Sequence, residues 1–261
     1  MSLTGKTKAN TYKDLLQMNN SNNGIDTSTR NVVDGEGTAS AIYISDDQMI
    51  IRPNNDDTTT AMLVRDKDGN SLLTVDSSND LVKAGIGQHI ANTQMKEFFM
   101  SSSSSNPDTA DTWTALQANS GALVADMEMG TGATPATTLT IATTASATVQ
   151  HLWYVPLNIT IDSCNVWFGA DAADGDTVKF SVMSYAIDSS NGSTSGDLSG
   201  GTEVCVSPST ITGAGREQAY YQVLTVSSAD VNAGRVIMAC VAQDGTNSDL
   251  TINMQLIYHL R

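Results

Sequence analysis

The stretch Thr251-Ile-Asn-Met-Gln-Leu-Ile-Tyr-His259 decides the fold class, because polar and apolar side chains alternate along it. Ile252, Met254 and Leu256 recur at every second position, which on an extended chain directs them to one side. A helix repeats every 3.6 residues and would spread these three side chains around its surface. The stretch therefore predicts a β-strand with one face in a hydrophobic core.

Seven further strand-like runs lie upstream of this stretch and predict an antiparallel domain over residues 133–261. Turns rich in Gly, Asp, Ser and Asn separate the runs, as expected for residues that favour turn conformations. Together with Leu250–His259, eight strands at this spacing predict a jelly-roll-like β-sandwich. The seven runs are Thr137–Thr143, Thr148–Val155, Ile159–Gly169, Thr177–Ile187, Thr202–Val206, Ala219–Val226 and Arg235–Ala242.

Residues 40–87 predict a thinner structure, a meander of short strands. Asp68-Gly69 is a strong hairpin signal between two of them. Strands this short have little to bury on their own, so we expect a homo-oligomer in which the meander wraps around identical copies. The predicted strands are Ala41–Ile44, Gln48–Arg52, Ala61–Arg65, Ser71–Val75 and Leu81–Ala84.

Two less regular segments flank this meander. Thr11–Met18 is spaced like one or two helical turns that need a partner surface, and Thr93–Met100 predicts a short helix. Ser101–Ser105 predicts a linker. The sequence therefore predicts a mainly β chain in four zones: an anchor segment 1–39, a shaft 40–87, a helix and linker 88–132, and a head 133–261.

Charge and hydropathy exclude several classes of partner. The net charge is −15 and the isoelectric point about 4.3, so the surface repels phosphate and predicts no nucleic-acid binding. No run approaches the roughly 18 apolar residues of a membrane helix, which predicts no membrane insertion. Met1–Asn20 lack the apolar core of a signal peptide, so we expect no export by such a signal.

The residue types of catalysis are present but scattered. His89, His151 and His259 lie far apart, and no GxSxG elbow accompanies them. We expect His151 and His259 to be partly buried strand residues. The adjacent pairs Asp46-Asp47 and Asp56-Asp57 read as turn or edge residues, because neighbours on a strand point to opposite faces. The sequence predicts no enzyme.

Metal and cofactor signals are equally weak. In Asp66–Asn70 the glycine is wrongly placed for a calcium loop, and a hairpin turn explains all five residues. The acidic loop containing Asp171 and Asp176 is predicted to be a solvated turn, with ion binding as the open alternative. Cys164, Cys205 and Cys240 lie in apolar runs without a CxxC pair, which predicts buried free thiols. We expect no cofactor.

Aromatic residues occur as three doublets: Trp153-Tyr154, Trp167-Phe168 and Tyr220-Tyr221. On a strand, one member of each doublet faces the core and the other faces outward. The outward members predict a subunit interface, with a carbohydrate-binding surface on which aromatic rings stack against sugars, or ordinary surface, as the open alternatives.

The first third of the chain resembles the structural proteins of tailed bacteriophages, such as tail fibres and other virion proteins. Met1–Asp26 followed by Asp34–Ser40 looks like their N-terminal segment. Val64–Asp76, with Val82 and Gly85 after it, is similar to the strand–turn–strand units of phage fibre shafts. The head resembles the small β-sandwich heads of such proteins only in general character.

This resemblance implies a homotrimer in the virion, assembled in the host cytoplasm and attached to capsid or tail proteins by its N-terminus. The candidate anchoring residues are Lys6, Tyr12, Lys13, Leu15 and Leu16. The head would then be displayed outward, where a host-surface glycan or protein is a candidate partner. The chain is short for a tail fibre, so a capsid decoration or head-fibre protein is the alternative.

Overall fold

The computed structural model describes residues 15–21, 23–100, 110–119, 127–141, 145–170, 174–214, 218–243 and 250–261. It is mainly β, as the sequence predicts, and divides into two compact units, Met1–Asn92 and Thr93–Arg261. The described residues include one helix, and its seven residues are too few to cross a bilayer.

The N-terminal unit contains two small antiparallel sheets of four strands each. The first sheet comprises β1 (Gln17–Met18), β2 (Arg30–Val33), β3 (Ala39–Ile44) and β4 (Met49–Ile51) in chain order. The second comprises β5 (Met62–Arg65), β6 (Ser71–Asp76), β7 (Leu81–Ala84) and β8 (His89–Ile90), also in chain order. The five short strands predicted for residues 40–87 are confirmed.

The two small sheets contain a structural repeat that the sequence pattern does not predict. The strands β5, β6 and β7 each begin 32 residues after β2, β3 and β4. The tight turn between the first two strands also recurs. The Asp34 carboxylate accepts backbone hydrogen bonds from residues 36 and 38, and the Asp66 carboxylate from residues 68 and 70. Gly37 and Gly69 have φ of +89° and +87°, a conformation that favours glycine.

The C-terminal unit is one large curled antiparallel sheet, a half-barrel. Its main order is β10-β18-β13-β14-β16-β12-β19-β9. At its two ends, Phe99 and Gln117 exchange two backbone hydrogen bonds of 3.0 and 2.9 Å, which bring the edges together. The strands are β9 (Thr93–Met100), β10 (Thr114–Ala115), β11 (Trp153–Tyr154), β12 (Ile159–Ala170), β13 (Asp174–Ile187), β14 (Leu198–Val206), β15 (Ile211–Ala214), β16 (Gln218–Val226), β17 (Asp230–Val231), β18 (Arg235–Gln243) and β19 (Thr251–Leu260).

The main core lies inside the curled sheet. Ile252, Met254 and Leu256 of β19 point into it, which confirms the alternation that predicted this strand. A second core lies on the outer face of β13 and β18, where residues 127–141 cover the sheet. Because β18 is covered on both sides, eight of its nine residues are buried.

Three local predictions are wrong. Thr93–Met100 is the strand β9 rather than a helix, because it pairs along its whole length with β19 and points Phe98 and Met100 inward. Gln17–Met18 is a strand paired with β2 rather than part of a helical turn. In Thr137–Thr143, Leu139 forms a single bridge with Leu198 instead of a continuous strand, and residues 142–144 lie outside the description.

The run Thr148–Val155 is also wrong as a strand. Ala145–His151 forms the helix α1, and only Trp153–Tyr154 is extended. Thr148 and His151 are both buried, and their spacing of three residues places them on one side of a helix. The remaining six predicted head strands are confirmed, with ends shifted by a few residues.

Candidate functional site

The predicted anchoring residues lie before or at the start of the described part of the chain, which begins at Leu15. Leu15 and Leu16 are exposed just before β1, while Lys6, Tyr12 and Lys13 fall outside the described residues. The described residues therefore do not test the anchoring role, which stays a prediction.

The second small sheet carries an exposed hydrophobic surface that we call the apolar face. Pairing places Met62 opposite Val75 and Val75 opposite Val82, so their side chains share one side of the sheet. None of the six members is buried, and Val64 and Val82 are 39% and 43% exposed. The apolar face consists of Met62, Val64, Leu73, Val75, Val82 and Ala84.

The opposite side of this sheet mixes three leucines with polar residues, of which Thr74 and Asp76 are buried. The Asp76 carboxylate, 1% exposed, accepts a hydrogen bond of 2.9 Å from the Asn79 side chain and lies 3.5 Å from the Lys83 ammonium. Thr74 is also buried and bonds the Gln88 side chain. Sheets normally bury their apolar side and expose their polar side. Here the wholly apolar side contains no buried residue, and both buried residues of the sheet, Thr74 and Asp76, are polar.

The first small sheet also exposes apolar side chains. Ile42, Ile44, Met49 and Ile51 share one side, and Ile42 and Met49 are exposed. On the other side, the Arg52 guanidinium lies 4.6 Å from the Tyr43 ring centre. Val33 is the only buried hydrophobic residue among the described residues of the N-terminal unit.

The C-terminal sheet carries a second candidate surface on the outer side of β16, β12, β19 and β9, which we call the aromatic face. Pairing aligns Tyr221, Trp167, Asn253 and Phe99 in one row across the four strands. Trp167 and Tyr221 are 52% and 49% exposed. The other members, in the next two rows, are Val223, Asn165, Gln255, Glu97, Ser163, Ile257 and Met95.

The centre of the aromatic face is ordered by direct contacts. The rings of Trp167 and Tyr221 lie 4.8 Å apart at an angle of 42°. The Tyr221 hydroxyl donates a hydrogen bond of 3.1 Å to the Asn165 side chain. Glu97 is the single charged side chain among its members. The face therefore presents aromatic rings, amides and hydroxyls in an otherwise acidic chain.

The inward members of the aromatic doublets confirm the predicted division. Phe168 is buried, and its ring stacks on Tyr220 at 5.1 Å and meets Phe180 edge-on at 5.1 Å. Trp153 packs 4.9 Å from Tyr258, while its neighbour Tyr154 is exposed. One member of each doublet thus supports the core and the other reaches the surface.

The three histidines lie in three different elements of the described part of the chain. His259 Nδ1 lies 2.9 Å from Asp162 Oδ1, whereas His89 is in β8 and His151 is buried at the end of α1. His151 is therefore not the strand residue that we predicted, whereas His259 is a buried residue of β19. The described residues form no group of three metal-binding side chains, and the possible ion site at Asp171 lies outside them.

All three cysteines are free and buried, as predicted. The pKa of the Cys164 thiol is raised well above its ordinary value. The main cause is a hydrogen bond with Cys205, and burial raises the pKa further. Burial also raises the pKa of the Cys240 thiol. Because the thiolate is the reactive form, these two residues act as small core side chains at neutral pH.

A scan against protein-family models finds no match to this chain, and a search of curated proteins finds no similar sequence.

Proposed function

We propose that this chain is a non-catalytic structural subunit of a tailed-bacteriophage virion. It is a homotrimeric fibre or spike, assembled in the host cytoplasm and attached through its N-terminus to capsid or tail proteins. The C-terminal unit is displayed outward and contributes to attachment to the host surface. The phage assignment rests on the resemblance of the first third of the chain to virion proteins.

The observation that carries the assembly is the inverted burial of the N-terminal unit. Its described residues bury four polar side chains and one hydrophobic side chain. Apolar burial contributes about 25 cal/mol per Å² and is the dominant favourable contribution to folding. A sheet that leaves its apolar side in water lacks most of that contribution. A second and third copy of the same chain, covering the apolar face, would supply it.

The structural repeat supports the fibre form of this assembly. Two successive meanders with the same turn geometry place similar strands at regular intervals along the chain. Repeated units that each bury little alone become stable by packing against neighbours. We also propose that the curled sheet of the C-terminal unit is a jelly-roll-like sandwich, a form with which its antiparallel strands and shared core are compatible.

The assembly is tested by placing a charge on the apolar face. We expect light scattering to give a trimer for the unaltered chain and a lower mass for Val64→Asp and Val82→Asp, because a buried unpaired carboxylate is strongly unfavourable. Leu72→Asp is the matched control, because Leu72 is similarly exposed on the opposite side of the same sheet. A monomeric unaltered chain, or an equal effect of Leu72→Asp, contradicts the proposal.

The second candidate is a capsid decoration or head-fibre protein with a mainly structural role. The observation that favours it is the short shaft, because the N-terminal unit contains only two small sheets among its described residues. Counting copies in a purified virion separates the two candidates. A few copies identify a tail component, and hundreds identify a component of the capsid lattice.

A further inference from the structure

The aromatic face has the composition of a ligand site rather than of ordinary surface. Trp167 and Tyr221, adjacent across β12 and β16, leave about half of each side chain in water. Two large aromatic side chains that are exposed side by side offer ring faces on which a ligand can pack. The amides of Asn165, Asn253 and Gln255 lie on the same side of the sheet.

The size of the face distinguishes a small ligand from a second protein. Four strands spaced about 4.8 Å apart and three rows about 7 Å apart give a patch of about 14 Å by 14 Å, or roughly 200 Å². A stable protein–protein interface buries about 800 Å² on each partner. The patch covers only a fraction of that area. It matches two or three sugar rings in length.

The chemistry of the face matches an uncharged sugar. One side of a pyranose ring exposes C–H groups that pack on an aromatic ring, while its hydroxyls both donate and accept hydrogen bonds. Amide side chains offer a donor and an acceptor in the same group, which suits hydroxyls. Because the chain carries a net charge of −15 and the face adds the Glu97 carboxylate, acidic sugars would be repelled.

We propose that the aromatic face binds a neutral oligosaccharide of a cell surface, with the rings of Trp167 and Tyr221 as the stacking platform. Asn165 orients Tyr221 through their hydrogen bond, and Asn253 and Gln255 supply amide contacts to the sugar hydroxyls. The inference rests on the attachment role proposed above and names its ligand class. In a trimer, three such sites on one particle would raise the apparent affinity of weak single sites.

The test applies the full chain to an array of immobilised oligosaccharides, one set neutral and one set carrying sialic or uronic acids. We expect binding to neutral members only. Trp167→Ala should weaken that binding about tenfold or more, the effect of losing ~1.4 kcal/mol of contact energy. Trp167→Phe, which keeps an aromatic ring, should retain most of the binding. Tyr154→Ala is the matched control, because Tyr154 is equally exposed on β11, outside the face.

Three outcomes overturn the proposal: no neutral oligosaccharide binds, acidic oligosaccharides bind instead, or Trp167→Ala and Tyr154→Ala weaken binding equally. The mass of each variant is measured by light scattering in parallel. If Trp167→Ala lowers the mass and the array is blank, the face is a protein contact and the proposal fails. A monomeric chain that still binds neutral sugars through Trp167 would contradict only the assembly proposed above.

Discussion

At the scale of single residues, the Asp66 turn shows how polar side chains stabilise the small sheets in place of a core. The Asp66 carboxylate accepts hydrogen bonds from the backbone of residues 68 and 70 and from the Asn70 side chain. The Asn70 side chain, followed by backbone groups of the turn, lowers the pKa of Asp66 below its ordinary value. The equivalent Asp34 also has a lowered pKa, chiefly through the backbone of Thr38.

A lowered carboxyl pKa makes the N-terminal unit sensitive to acid. The stability that these carboxylates contribute is fully present above about pH 4, near the ordinary value for Asp, and is lost as the pH falls through the lower folded-state pKa. We expect Asp66→Ala to lower the melting temperature of the unit at pH 7 by a few degrees and to weaken its acid sensitivity. Circular dichroism melts at pH 7 and pH 3 measure both effects.

The exposed turn residue Asp47 provides the control for this prediction. Asp47 lies in the loop between β3 and β4, and Asp47→Ala removes the same charge from an exposed turn. Its melting temperature should stay close to that of the unaltered chain. If Asp47→Ala and Asp66→Ala had the same effect, net charge rather than hydrogen bonding would govern the acid sensitivity.

At the scale of elements, the segment of residues 127–141 covers the outer side of β13 and β18. The buried Tyr185 hydroxyl holds it in place by donating a hydrogen bond of 2.8 Å to the Ala136 carbonyl. Tyr185→Phe leaves that half-buried carbonyl without this donor. We expect a loss of about 1 kcal/mol in the free energy of unfolding, within the usual 0.5–1.5 kcal/mol range for a hydrogen bond.

Urea unfolding measures this loss as a lower midpoint with an unchanged slope. Tyr43→Phe is the comparison, because the Tyr43 hydroxyl bonds Asn54 at an exposed position where water can replace it. Its effect should be smaller. If Tyr185→Phe unfolded at the same urea concentration as the unaltered chain, the hydrogen bond to Ala136 would not hold the segment in place.

The elements also show where sequence reasoning succeeds and where it fails. The long strands β12, β13 and β19 were predictable, because alternation along nine or more residues reports a buried face directly. The strand β9 was not, because Gln94, Lys96 and Glu97 favour helices. Its conformation is set by pairing with β19, which is about 150 residues distant.

The two candidate surfaces could be predicted from the sequence to different degrees, because one depends on strand alternation alone and the other depends on how strands pair. The aromatic doublets predicted outward Trp167 and Tyr221, since strand geometry alone decides which member faces out. The apolar face depends on the register of three short strands, which no single run reveals. In the sequence, the repeat is visible as an aspartate three residues before a glycine, at Asp34 and again at Asp66. Most of the other equivalent positions in the two repeats carry different residues.

At the scale of the whole molecule, the two units obtain their stability in different ways. The C-terminal unit has two cores of its own, including fully buried Phe98, Phe180 and Tyr185. The N-terminal unit has Val33 as its one buried hydrophobic residue among those described. If copies of the chain cover the apolar face, folding of this unit is coupled to association and depends on protein concentration.

Thermal unfolding at several protein concentrations tests this coupling. We expect two transitions, of which the lower belongs to the N-terminal unit and rises with concentration. The upper transition belongs to the C-terminal unit and should not move, because its cores lie within one chain. Val82→Asp should lower the first transition and leave the second unchanged, since Val82 lies on the apolar face. If both transitions were independent of concentration, the N-terminal unit would be stable alone and the apolar face would not be an assembly surface.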